Sequence, residues 1–141
     1  MKTEKVQISS LILDPANVRT HDQRNLDAIK GSLQRFGQQK PIVVDGKGVV
    51  VAGNGTLAAA KALGWTEIAI VRTTLVGTEA VAFAIADNRT AELASWDDDA
   101  LAKTLEALQI EDAELAALTG FTDKEIGDLI KRKHRRGGGG G

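Results

Sequence analysis

The 141-residue sequence predicts an α/β (α+β) fold: a small mixed sheet of about four strands with packed helices, followed by a helical C-terminal extension. Three observations lead there. Apolar, β-branched runs bounded by turn residues are confined to the first half of the chain, at Val6–Leu13, Pro41–Val44, Val49–Ala52 and Ile68–Val71. From Gly77 onward the apolar residues recur only at helical spacing. Between these halves, Val49–Ala52 passes through Gly53-Asn54-Gly55 into an Ala-rich stretch closed by Gly64, which reads as strand, turn and helix in succession.

Taken in order, Val6, Ile8, Leu11, Ile12 and Leu13 form one opening strand that stops at the turn signal Asp14-Pro15. Residues 16–22 are polar loop. Leu26, Ile29, Leu33 and Phe36 then mark an amphipathic helix over about 23–36, capped by Gly37. Asp45-Gly46-Lys47-Gly48 is a hairpin turn, so the Val49 strand should run antiparallel to Ile42–Val44. The following helix is expected from Thr56 to Leu63, and Ile68–Val71 should return parallel to the Val49 strand through a crossover. Thr78 caps a helix carrying Val81, Phe83 and Ile85. Asp97 caps the next, where Trp96 and Leu101 form a hydrophobic staple and Leu101, Leu105 and Leu108 a buried stripe. A short helix from Ala113 to Leu118 ends at Gly120. Thr122 with Glu125 makes a capping box for a last helix bearing Ile126, Leu129 and Ile130. These elements divide the chain into a core domain (1–95), a helical extension packed on it (96–133) and a flexible basic and glycine tail (134–141).

Composition narrows the function. The longest clean apolar run, Ala80–Ala86, is far too short to span a bilayer, and the polar start Met1-Lys2-Thr3-Glu4-Lys5 has no signal-peptide core, so a cytoplasmic location is expected. With no cysteine, disulfides, thiolate catalysis and cysteine-based zinc sites are excluded. The net charge of −1 conceals an asymmetry: five of the 18 basic residues, Lys131, Arg132, Lys133, Arg135 and Arg136, lie in one run, leaving 13 against 19 acidic residues elsewhere. A body of that sign repels polyanions, so DNA binding is expected to rest on this run.

The chemistry concentrates at the glycine turn. Gly53 and Gly55 permit close approach to the backbone, and the helix beginning there leaves its first N–H groups unpaired, which favours a phosphate. The spacing Gly53-x-Gly55-x-x-Ala58 also fits a dinucleotide fingerprint, with Arg72 as a partner for a 2′-phosphate, but the antiparallel hairpin and the lack of strands beyond residue 75 argue against a doubly wound sheet. Asp87-Asn88-Arg89 interrupts an apolar helix with a carboxylate, an amide and a guanidinium, a set suited to magnesium and phosphate. The acidic cluster Asp97-Asp98-Asp99 reads as charge at a helix start.

Together, Val6–Leu13, the helix ending Phe36-Gly37, Gln39-Lys40-Pro41-Ile42-Val43-Val44, Gly53-Asn54-Gly55-Thr56 and Ala86-Asp87-Asn88-Arg89 resemble the ParB/sulfiredoxin-type N-terminal domain over residues 5–95. The continuation Ala91–Asp97 and Leu118–Thr122 is similar to the subgroup found in phage and ahead of DNA methyltransferases. The resemblance implies a nucleotide- or DNA-associated binding module, accompanying DNA modification or the processing of phage or plasmid DNA. An alternative is a nucleotide-dependent nuclease or phosphotransfer enzyme. It places phosphate binding at Gly53, Asn54, Gly55 and Thr56 with Lys40 and Arg89, and magnesium at Asp87 and Asn88. Its implied partners are a nucleoside triphosphate, DNA and a fused or separate methyltransferase. Where the family turn carries an acid and two arginines, this chain has Asn54, Gly55 and Thr56, so binding is expected to be weak and hydrolysis slow or absent. Sulfiredoxin chemistry needs a cysteine in the turn and is excluded. After residue 95 too few residues remain for the helix-turn-helix domain of the partitioning proteins.

Overall fold

The opening strand is two strands. Thr3–Gln7 (β1) ends in a single 3-10 turn, Ile8–Ser10, and Ile12–Leu13 (β2) follows. In this computed structural model, which describes residues 1–15, 17 and 19–139 (backbone only for 136–139), the turn is held by Ser10 Oγ donating to the Gln7 carbonyl at 2.7 Å and by Ile8 N–H donating to the Thr66 carbonyl at 2.8 Å. Those bonds carry the chain from one edge of the sheet to the other. Ala16 and Val18 of the loop, the Arg136 side chain, Gly140 and Gly141 lie outside the described residues.

The sheet therefore has five strands, one more than the sequence reading. Ile42–Val44 (β3) and Val49–Ala52 (β4) form the expected antiparallel hairpin, and Glu67–Arg72 (β5) completes the order β1-β5-β3-β4-β2. The expected crossover is not what forms: β5 pairs parallel with β3, Ile42 beside Ile70, and so runs opposite to β4. Both edges of β4 are already used, one by β3 through the tight hairpin and the other by β2. β5 takes the open edge of β3. β1 then pairs antiparallel with β5, and Arg72 Nε donates to Glu4 Oε1 at 2.7 Å, which gives Arg72 a structural partner.

Two helices cover one face of this sheet. Gln23–Phe36 (α1) starts where Asp22 accepts from the Asn25 N–H at 2.7 Å and stops at Gly37, matching its expected span. Asn54–Ala62 (α2) begins two residues earlier than its sequence pattern indicates, because Gly53 takes a left-handed conformation (φ 101°) and lets the helix start directly after β4. Leu33 from α1 and Leu57, Ala59 and Ala60 from α2 pack on Ile42, Val44, Val50 and Ile70 of the sheet, and small alanines let α2 lie close. Gly77–Leu93 (α3) buries none of its residues fully, packs chiefly against β4 and brings Asp87, Asn88 and Glu92 to that end of the sheet.

Residues Met1–Leu93 make up this unit, and a second begins at Ala94 with a hydrophobic core of its own. It comprises Asp98–Glu111 (α4), Ala113–Ala117 (α5) and Asp123–Gly139 (α6), with Ala102, Leu105, Ala116, Ile126 and Leu129 buried between them. Two of the expected caps form: Asp97 accepts from Ala100 N–H, Thr122 Oγ1 accepts from Glu125 N–H at 3.1 Å, and Glu125 Oε1 accepts in return from Thr122 N–H at 2.8 Å. Thr78 instead falls inside α3, which already starts at Gly77. Among the described residues no helix is long and apolar enough to cross a membrane.

Candidate phosphate site at the start of α2

α2 begins without a side-chain cap. Its N-cap is Gly53, its first intrahelical bond is Leu57 N–H to the Gly53 carbonyl at 2.9 Å, and the N–H groups of Asn54, Gly55 and Thr56 precede that bond. They open on a cavity of about 200 Å³ at the C-terminal end of β4. That volume falls below the roughly 300–1,000 Å³ of sites that enclose whole organic ligands, and suits a phosphate group better than a buried base.

The two glycines of the turn serve different needs. A Cβ on Gly53 would lie 2.5 Å from Ile42 Cγ2, at a positive φ, so β3 packing and backbone conformation both require glycine there. Gly55 has no such strain. A Cβ there would lie 2.5 Å from Cε1 of His21, which makes this glycine a requirement of the cavity wall. Asn54, 9% exposed, turns inward: its Oδ1 accepts from Asp14 N–H and its Nδ2 donates to the Val50 carbonyl, both at 3.3 Å. The side chain thereby fastens the loop after β2 to the turn.

That loop supplies what the turn lacks. Asn17 brackets residue 19, its Oδ1 accepting from Arg19 N–H at 3.1 Å and its Nδ2 donating to the Arg19 carbonyl at 3.2 Å. The Arg19 guanidinium then reaches the cavity, where Nη1 donates to Asn88 Oδ1 at 3.2 Å and to Glu92 Oε1 at 3.0 Å. The Arg19–Glu92 pair, with side chains 38% and 49% exposed, is worth only about 0–1 kcal/mol. A charge-assisted bond to phosphate, about 1.5–3 kcal/mol, would outweigh it.

Of the candidates read from the sequence, the cavity gathers Gly53, Asn54, Gly55, Thr56, Asp87 and Asn88; Lys40 and Arg89 are exposed and do not line it. Arg89 instead lies 3.5 Å from Glu92. The Asp87 carboxylate faces the cavity with no partner among the described residues, whereas Asn88 is engaged on both atoms, by Arg19 and by the Ala84 carbonyl. The donor set fits magnesium in part: Asp87 would hold it with phosphate oxygens and water, and Asn88 would join only after Arg19 leaves. No group of three or more His, Cys, Asp or Glu suited to a metal occurs among the described residues. Arg19 and His21 also line the cavity, and the sequence reading passed over them as loop; the signal was a cation and an imidazole shortly before the Asp22 cap.

In the helical unit, Lys131, Arg132 and Arg135 are exposed along α6 with Asp128 beside them, Lys133 is half-buried, and His134 Nε2 lies 3.8 Å from Glu106 on α4.

A family model for the ParB N-terminal domain matches residues 1–89, well over half of the chain. The chain belongs to this family. It is 31% identical over 55 residues to the ParB-like nuclease domain-containing protein YnaK of Escherichia coli (strain K12), a match spanning 39% of this chain and 63% of that protein. Among solved structures, the ParB-type fold is shared with the C-terminally truncated chromosome-partitioning protein ParB from Caulobacter crescentus complexed with CTP-gamma-S. That match has a TM-score of 0.77 and 19% identity, over 92% of this chain and 77% of that one. The same Caulobacter protein complexed to the centromeric parS site matches with a TM-score of 0.53 and 21% identity, over 91% and 64%.

Proposed function

We propose that this chain is a nucleotide-responsive, DNA-associated module that seats the phosphates of a nucleoside triphosphate on the Gly53–Thr56 turn. The carrying observation is the uncapped start of α2, whose N–H groups open on a cavity that also receives Arg19. A ParB relative of the same fold is bound to CTP-gamma-S, which supports cytidine triphosphate as the first ligand to try. Arg19 would exchange Glu92 and Asn88 for phosphate oxygens, and magnesium would ride on the triphosphate with Asp87 as its protein ligand. With Asn54 buried and Gly55 and Thr56 uncharged, binding is weak and turnover slow. The exposed Lys131, Arg132 and Arg135 of α6, together with Lys133 and Arg136 of the same sequence run, would meet the DNA backbone, a role supported by a ParB neighbour held on parS. A setting in phage or plasmid DNA processing or beside a methyltransferase, and a cytoplasmic location, complete the reading. The name of the Escherichia coli relative keeps a nuclease as the second reading.

Calorimetric titration of the four nucleoside triphosphates with magnesium tests the site. CTP should bind the wild type and fail to bind Gly55→Val, whose branched side chain enters the space now held by His21. Undiminished binding to that variant would place the ligand elsewhere. For DNA, replacing Lys131, Arg132, Lys133 and Arg135 by alanine should lower affinity and flatten its salt dependence by up to about 0.9 per lost phosphate contact. An unchanged slope would remove α6 from the interface. Cleavage of plasmid DNA in magnesium, lost in Asp87→Ala, would favour the nuclease reading instead.

A further inference from the structure

His21 lines the cavity at the start of α2 with one ring nitrogen unengaged among the described residues. Its ring stands edge-on to Gly55: a Cβ on that glycine would be 2.5 Å from Cε1 and 2.9 Å from each ring nitrogen. One is spoken for, since Nδ1 lies 2.5 Å from Asn25 Oδ1, and Asn25 is itself fixed by its N–H to Asp22 at 2.7 Å. Nε2 has no hydrogen-bond partner among the described residues, and His21 lines the cavity on which the free N–H groups of the turn open.

We infer that Nε2 of His21 donates a hydrogen bond to the phosphate seated on Gly55 and Thr56, so that an imidazole takes over part of the work of the missing turn arginines. This deepens the proposed function and rests on it. Gly55 and His21 line the same cavity, so an anion held there by the turn has the ring nitrogen that Asn25 leaves open as a neighbour. Nε2 donates as the imidazolium, with Nδ1–H held by Asn25 Oδ1, or as the neutral Nε2–H form once the Asn25 amide turns its NH₂ towards Nδ1. The charged groups around the ring are Asp22 and Arg19 from its own loop and Asp87 from α3; α2 contributes only neutral residues at its first turn. Arg19 is tied to Asn88 and Glu92 and must leave both to meet a phosphate, whereas His21 needs only a proton on Nε2.

The test titrates inorganic tripolyphosphate, and separately CTP, into wild type, His21→Ala and His21→Phe, with thermal unfolding as the control for folding. Both variants should bind about ten- to a hundred-fold more weakly, the loss expected of one hydrogen bond to a charged group. Nitrogen-15 spectra of histidine-labelled wild type should show the Nε2 resonance of His21 moving on tripolyphosphate addition, while His134 serves as the internal reference. Wild-type binding that both variants retain in full, with the Nε2 resonance unmoved, would overturn the assignment of His21 and leave the turn as the phosphate site. If neither tripolyphosphate nor CTP binds the wild type, the turn itself fails as the site and this inference fails with it.

Discussion

α2 and α6 begin in opposite ways. At α6, Thr122 and Glu125 satisfy one another's backbone N–H groups reciprocally, and α1, α4 and α5 each start on an aspartate that does the same from one side. At α2 the N-cap is a glycine with no side chain to offer, and its first N–H groups face open space lined by Arg19 and His21. A helix start completed from within is a stability device, worth about 0.5–2 kcal/mol. One left open has donors to spare for an acceptor that the chain itself does not supply.

Substitutions at the two starts should separate along that line. The largest effect belongs to Gly53→Ala, which combines a methyl group 2.5 Å from Ile42 with a φ of 101° and should cost roughly 2–4 kcal/mol of stability in urea unfolding. Gly55→Ala is its counterpart two residues on. It should change stability by less than about 1 kcal/mol, because a movable ring is what it meets, yet weaken CTP roughly tenfold by displacing His21 and narrowing the approach. Equal losses of stability in both variants would erase the distinction between a packing glycine and a binding glycine. Thr56→Arg, which restores a guanidinium to the open start, should tighten CTP by about tenfold in calorimetry. The smallest effect belongs to the closed start: Thr122→Ala should lower thermal stability by about 1 kcal/mol and leave CTP affinity unchanged. A loss of CTP binding there would show that the closed start also serves the ligand.

The same contrast explains what could be read in advance. Thr122-x-x-Glu125, Asp97 before Leu101 and Gly37 after Phe36 are local codes in which donor and acceptor lie within one turn of each other, and each forms as read. The hairpin at Asp45–Gly48 is local in the same sense. What escaped was decided at a distance. Ile8 N–H finds its acceptor at Thr66, breaking the opening apolar run into two strands, and the choice of β3 over β4 by β5 depends on β2 already occupying an edge. At the site, Gly53 and Gly55 look alike in sequence, but Ile42 explains one and His21 the other. Arg19 and His21 sit in a stretch without periodicity, and it takes the folded loop, anchored by the Asn54 bond to Asp14, to reveal that they belong beside the turn.

β1 and β5 carry a consequence for the order in which the molecule comes into being. During synthesis Thr3 emerges first among the strand residues, but its neighbour is Val71, at the end of the last strand. Contacts so distant along the chain form late and slowly, since a long loop must close before they yield anything. Asp87, Asn88 and Glu92 emerge directly after that strand, on α3. The edge of the sheet therefore closes, and the far wall of the cavity arrives, within the same short stretch of translation.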